Sequence, residues 1–455
     1  MTRDKITLSE KRRRVKTSHV LIMLFVLLLA AFAFYRIYLK NELNERIETI
    51  RAAGYPVTFE ELNQWYSIPM GVENSAYIVL DAIGYYKEPN DGKLLPVTGN
   101  AELPGRTETM SDEMKKLILQ FLIDNQKSLE LLHKTAGLEH GRYPADFRLG
   151  QGVLLTHISQ SKDSAQLLQL EAVHAAENEN SDIAFQSIQS IFGVAFSLDN
   201  EPVMVSQSVR IACQDIAVSV LEYSLNKTAF SDEQLIELGN ACTKAEKAQG
   251  MLNAVVGERI MALDLITQPQ SIYFNPNSNP VLFSFPPVLT LYKTIGLSES
   301  DAIILLKLTD DIIKAYNFPP HQRREAAKAI DLKIKEIPNI HVLLGNILPS
   351  FGRFIILDLK NITRLSLART ALAVQRYRLK HKKLPDSLGN LVPEYIESIP
   401  LDPFDGEELR YKRLDKGFVI YSIGEDLSDD NGREMPKEKK QKMNSTWDIT
   451  FIVEK

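Results

Sequence analysis

Two groups of residues in this chain have the types and spacing to do chemistry. The first lies in YSIGEDLSDDNG, residues 421–432, where Glu425, Asp426, Asp429 and Asp430 fall within six positions. Clustered carboxylates can hold a hard cation such as calcium, share a proton in catalysis, or simply line a solvated turn. EF-hand spacing fails here. Counting from Asp426, Ser428 and Asp430 suit the third and fifth positions, but the sixth is Asn431 instead of glycine and the twelfth is Lys437. A looser calcium site on an irregular loop stays open beside the plain polar turn.

The second group is a pair of Glu-x-x-His motifs, Glu130 with His133 and Glu171 with His174. Both fall in helical patterns, where that spacing puts carboxylate and imidazole on one face. Di-iron carboxylate bundles use two such pairs and two further glutamates. Glu222 or Glu258 would have to serve as those, and nothing in the sequence selects them. Solvent-facing polar residues are the plainer reading of both pairs. Ser159 and Lys162 make an S-x-x-K string without its companion motifs, and no G-x-S-x-G, H-E-x-x-H or Walker A string occurs.

The elements that must position these residues begin with an anchor. Thr17 to Tyr35 contains no Lys, Arg, Asp or Glu over 19 residues, enough to span a bilayer as a helix. Residues 1–18 carry a charge of +5, so the remainder sums to −10 within a net charge of −5. Basic residues ahead of the span predict a cytoplasmic N-terminus and a body across the membrane. A signal peptide cut after Ala31-Phe32-Ala33 is the competing reading. The acidic body argues against a nucleic-acid partner and leaves the lipid bilayer and other envelope proteins as the expected ones. Cys213 and Cys242, the only cysteines, are two buried thiols or one bridge.

Past the anchor the pattern is mainly α: a basic tail at 1–16, the anchor at 17–38, a helical domain at 39–345, and an α+β unit at 353–455. Within the helical domain, 88–110 reads as a loop and 268–290 as a proline-rich interruption. Thr58 to Glu61 and Ser231 to Gln234 are capping-box patterns, and Ser111 opens a periodic helix to about Lys134. Alanines 172, 175, 184 and 195 suit the close packing of a helical-hairpin array. Glu258, Arg259 and Asp264 read as an ion-pair set for helix packing. The last unit is one amphipathic helix, Phe354 to His381, then a short helix capped by Asp386, then three strand-like runs forming a small antiparallel sheet.

The string LARTALAVQRYRLKHKKLPDSLGNLVPEYIESIPLDPFDGEELRYKR, followed by GFVIYSIGED and WDITF, resembles the globular part of the major pseudopilin of type II secretion. That resemblance implies calcium in the loop between the last strands, with Asp426 and Asp448 as the matching carboxylates and Asp429 and Asp430 nearby. The pseudopilin cleavage motif does not precede this anchor, which lies more than 300 residues upstream of the matching helix. ERIETIRAAGYPVTFEELNQWYSIP, QLEAVHAAENENSDIAFQSIQSIFGVAFSL and GERIMALDL also resemble membrane-anchored proteins of planctomycete-like bacteria, a likeness that brings no activity with it. The expected function is a non-enzymatic, single-pass envelope scaffold presenting a calcium-stabilised pseudopilin-like module, linked to secretion or envelope assembly. No other cofactor is expected. The alternative is a metal-dependent oxidoreductase built on Glu130, His133, Glu171 and His174.

Overall fold

The computed structural model describes residues 3–89, 95–268, 286–348, 351–434 and 447–455. Lys437 and its basic string, and Pro269, Pro276 and Pro280 of the interruption, lie outside the described residues. In chain order the helices are α1 (Arg3–Ala52), α2 (Phe59–Trp65), α3 (Ser75–Tyr85), α4 (Asp112–Asp124), α5 (Gln126–Leu132), α6 (His157–Glu177), α7 (Ser181–Ser197) and α8 (Met204–Lys227). They continue with α9 (Asp232–Glu246), α10 (Gly250–Thr267), α11 (Pro286–Thr294), α12 (Leu297–Tyr316), α13 (Pro320–Lys335), α14 (Val342–Ile347) and α15 (Phe351–His381). Strands β1 (Arg410–Leu414), β2 (Gly417–Ser422) and β3 (Ile449–Val453) form one antiparallel sheet in the order β1-β2-β3. The chain is mainly helical, with a long apolar N-terminal helix and a C-terminal sheet, as its sequence pattern predicts.

The chain divides into two compact units. One gathers Met1–Val57, Ala262–Leu308 and Ile337–Leu348. Its core forms where α1 leaves its apolar run: Leu39, Leu43 and Ile50 bury against Leu263, Ile266, Ala302, Leu306 and Leu344. Ion pairs from Arg36 to Glu299 (2.6 Å) and from Glu42 to Lys307 (3.1 Å) flank that seam.

The other unit gathers Thr58–Met261, Thr309–Glu336 and Pro349–Lys455. Here α6, α7 and α8 pack together, and α15 lies against α9 and the sheet. Ala172, Ala175, Ala184 and Ala195 are all buried in this core. Gly193 shows how close the approach is: a Cβ there would sit 2.2 Å from the carbonyl oxygen of Thr135. Gly193→Ala should therefore lose about 1–3 kcal/mol through forced overpacking, read as a lower urea midpoint.

Several boundaries differ from the pattern, each for a local reason. The helix from Ser111 does not reach Lys134 unbroken. It ends at Asp124 because Asn125 is buried and bonds outward: its Oδ1 accepts from the Lys87 N–H and its Nδ2 donates to the Lys87 carbonyl. Ser231 makes the full capping box, whereas Thr58 only accepts from the Glu61 N–H. Ser387, not Asp386, caps the short 3-10 turn Leu388–Leu391, and Asp386 pairs with Arg413 instead. Glu258 accepts from the Met204 N–H at the start of α8, and Arg259 faces Asp310 at 3.6 Å. Cys213 and Cys242 are free, buried thiols, not a bridge.

Candidate functional site

The two Glu-x-x-His motifs line one groove of about 390 Å³ among α4, α5, α6 and α7. Their pairing runs across helices and not along them. His133, just past α5, places Nε2 2.9 Å from Glu171 Oε2 on α6. Its Nδ1 lies 3.1 Å from Ser190 Oγ. Ser190 Oγ in turn donates to the Gln186 carbonyl. Ser187 donates to Glu171 Oε2 at 2.7 Å. Glu130 stands at the rim beside Lys127, 3.3 Å away. His174 lies against Asn178, and burial, with Lys115 nearby, holds its imidazole below the usual value and therefore neutral near pH 7.

This arrangement satisfies its own polar groups. Ser190, His133 and Glu171 stand in the order of a nucleophile, base and acid, but Ser190 is wholly buried and its proton is committed to a backbone carbonyl. No group of three or more His, Cys, Asp or Glu converges for a metal among the described residues. Glu222, on α8, is drawn to the sheet edge, where its Oε1 accepts from the Ile452 N–H.

The acid loop is likewise closed by its own backbone. Asp448, 5% exposed, accepts the N–H of Asp430 at 3.2 Å and of Gly432 at 2.7 Å, one on each oxygen. Asp426 accepts from the Ser428 N–H, and Asp429 from the Asn431 N–H. Burial, reinforced by the charges of Asp429 and Asp430, raises the Asp448 carboxyl above its usual range. A calcium ion takes six to eight oxygen ligands. Here the carboxylates serve backbone donors, and Asp429 faces the Arg410 guanidinium at 3.7 Å.

The residue that organises this module is Asp402, which is not among the expected ligands. It is fully buried. Its Oδ1 accepts from the Phe404 N–H (3.0 Å) and Ser422 Oγ (2.8 Å). Its Oδ2 accepts from the Ile423 N–H (3.1 Å) and Arg410 Nη1 (3.1 Å). Arg410 also reaches Asp405 at 2.5 Å. In the sequence it stands in the Pro400-Leu401-Asp402-Pro403-Phe404 run of the pseudopilin-like string, a turn-forming context. A second unforeseen set is the buried His157–Glu201 pair, 2.9 Å apart, with His157 stacked on Tyr143 at 3.8 Å. Tyr143 in turn bonds Ser161 and Ser197. These residues are closed off from solvent and read as a polar brace of the core.

No protein-family model, curated protein or solved structure matches the chain.

Proposed function

We propose that the protein is a non-enzymatic, single-pass envelope protein: a bilayer-anchored helical scaffold that presents its pseudopilin-like C-terminal module to other envelope proteins in the periplasm, in secretion or envelope assembly. One observation carries the anchor reading. The apolar window of α1 is wholly exposed, yet the same helix continues into the body and becomes core at Leu39, Leu43 and Ile50. Water does not tolerate such a face, and a bilayer accepts it. A cut after Ala33 would leave Phe34, Ile37 and Tyr38 exposed at the new terminus, which favours retention over cleavage. The scaffold reading is supported by polar clusters that are internally satisfied: His133 with Glu171, and Asp402 with Arg410.

The test is topological. A reporter enzyme active only outside the cytoplasm, fused after Lys455, should be active, and the mature N-terminal peptide should retain Lys11 to Arg14. Activity of a cytoplasm-only reporter at the same site would overturn the orientation. Recovery of protein beginning at Phe34 would replace the anchor with a signal peptide.

A further inference from the structure

The anchor is not the only apolar surface in its unit. On α11, Leu289 and Tyr292 are buried, while Leu291 (59%) and Ile295 just beyond the helix (37%) are exposed one turn apart. Two sets of contacts fix where that face lies. Along α1 and α12, Arg36 pairs with Glu299 and Glu42 pairs with Lys307. Both partners advance together, so α12 runs beside α1 in the same direction, away from the apolar run. Tyr292 Oη donates to Asp301 Oδ2 at 2.6 Å, which folds α11 back along α12 as a hairpin. The hairpin turn contains Gly296, whose position is so close to α1 that a Cβ would sit 2.5 Å from Arg36 Nη1 and 2.8 Å from Leu39 Cδ1.

A 19-residue apolar run rising about 1.5 Å per residue covers about 29 Å, the hydrocarbon thickness, so Tyr35 and Arg36 fall at its boundary. Leu39 is about 4.5 Å farther along the axis. The turn at Ile295 and Gly296 thus stands within one helical turn of the membrane surface. We infer that the α11–α12 hairpin is a second membrane contact, whose tip, Ile295 foremost and Leu291 behind it, seats in the headgroup region of the bilayer. The inference rests on the anchor reading and goes beyond it. The exposed aromatic residues at the end of the apolar run of α1, Phe34, Tyr35 and Tyr38, suit the same layer. Two points of contact would set the tilt and rotation of this unit on the membrane, where a lone helix would not.

Single cysteines at 295, 291 and 25, in the full chain reconstituted into lipid nanodiscs, test this. The native thiols are no obstacle: burial pushes Cys213 up to about 12 and raises Cys242 further, so neither reacts with a polar label. An interfacial apolar face sits about 5–10 Å deep, so a fluorophore on Ile295→Cys should lose roughly half or more of its emission to nitroxide on the lipid headgroup and resist aqueous iodide. Leu291→Cys should lose less. Phe25→Cys should be quenched only by nitroxide deep in the acyl chain. If Phe25→Cys responds so but positions 291 and 295 are open to iodide and untouched by lipid nitroxide, the anchor stands and the second contact is overturned. Stronger quenching at 291 than at 295 would overturn the tip-first orientation. Absence of lipid quenching at position 25 would overturn the anchor, and this inference with it.

Discussion

Replacing Asp402 by alanine should destabilise the C-terminal sheet by about 3–5 kcal/mol, because it removes a fully buried carboxylate and leaves several donors unmet. The donors are specific: the backbone N–H groups of Phe404 and Ile423, the Ser422 hydroxyl and Arg410 Nη1. They come from the end of β2, the start of β1 and the turn before it, so one carboxylate ties three segments. Asp402→Asn should also weaken the module, since an amide presents N–H to groups that are themselves donors. Asp386→Ala removes only an exposed pair with Arg413 and should change stability by less than about 1 kcal/mol. The chain has two tryptophans, Trp65 and Trp447, and Trp447 lies two residues before β3. Urea titration followed by Trp447 emission in a Trp65→Phe background reports this module. A midpoint for Asp402→Ala equal to that of Asp386→Ala would remove Asp402 from its organising role.

The helices were legible because burial imposes a 3.6-residue period, and the strands because each short run is bounded by turn residues. What the period cannot carry is a side chain that bonds outside its own element. Asn125 breaks a helix whose apolar spacing continues past it, because its partner is Lys87, 38 positions away. Helix α11 was hidden for another reason: Pro286 and Pro287 resemble an interruption, yet proline is tolerated in the first turn, where the N–H has no intrahelical partner. The candidate sites follow the same logic. Spacing alone pairs Glu130 with His133, whereas the folded chain gives His133 to Glu171 because α5 and α6 face the same groove. The carboxylates of the acid loop were visible, but their N–H donors and Arg410 become neighbours only when the sheet closes.

Glu222 gives the sharpest pH signature. Strand β3 is an edge of the sheet, and α8 supplies its missing partner with side chains in place of a strand. Glu222 Oε1 accepts from the Ile452 N–H at 2.8 Å. One turn later, Asn226 donates to the Ile452 carbonyl at 2.9 Å and accepts from the Glu454 N–H at 2.7 Å. An edge so covered cannot template another chain. Its position costs Glu222 its hydration. Burial pushes the carboxyl up to about 7, and the Ile452 N–H, Arg364 and Arg106 pull it down without compensating. The folded chain therefore holds a proton that the unfolded chain has released. This contribution to stability is fully present below about pH 4.5 and is lost as pH rises through about 7. At pH 8 the charged carboxylate costs up to about 3 kcal/mol relative to a neutral acceptor in the same place. Glu222→Gln keeps an oxygen for the Ile452 N–H and cannot ionise. The variant should be more stable than the parent at pH 8 by about 2–3 kcal/mol, and nearly equal to it at pH 4.5. Urea midpoints for both proteins at half-unit steps from pH 4.5 to 8 test this. Two curves that stay parallel across that range would mean that Glu222 keeps its charge when folded.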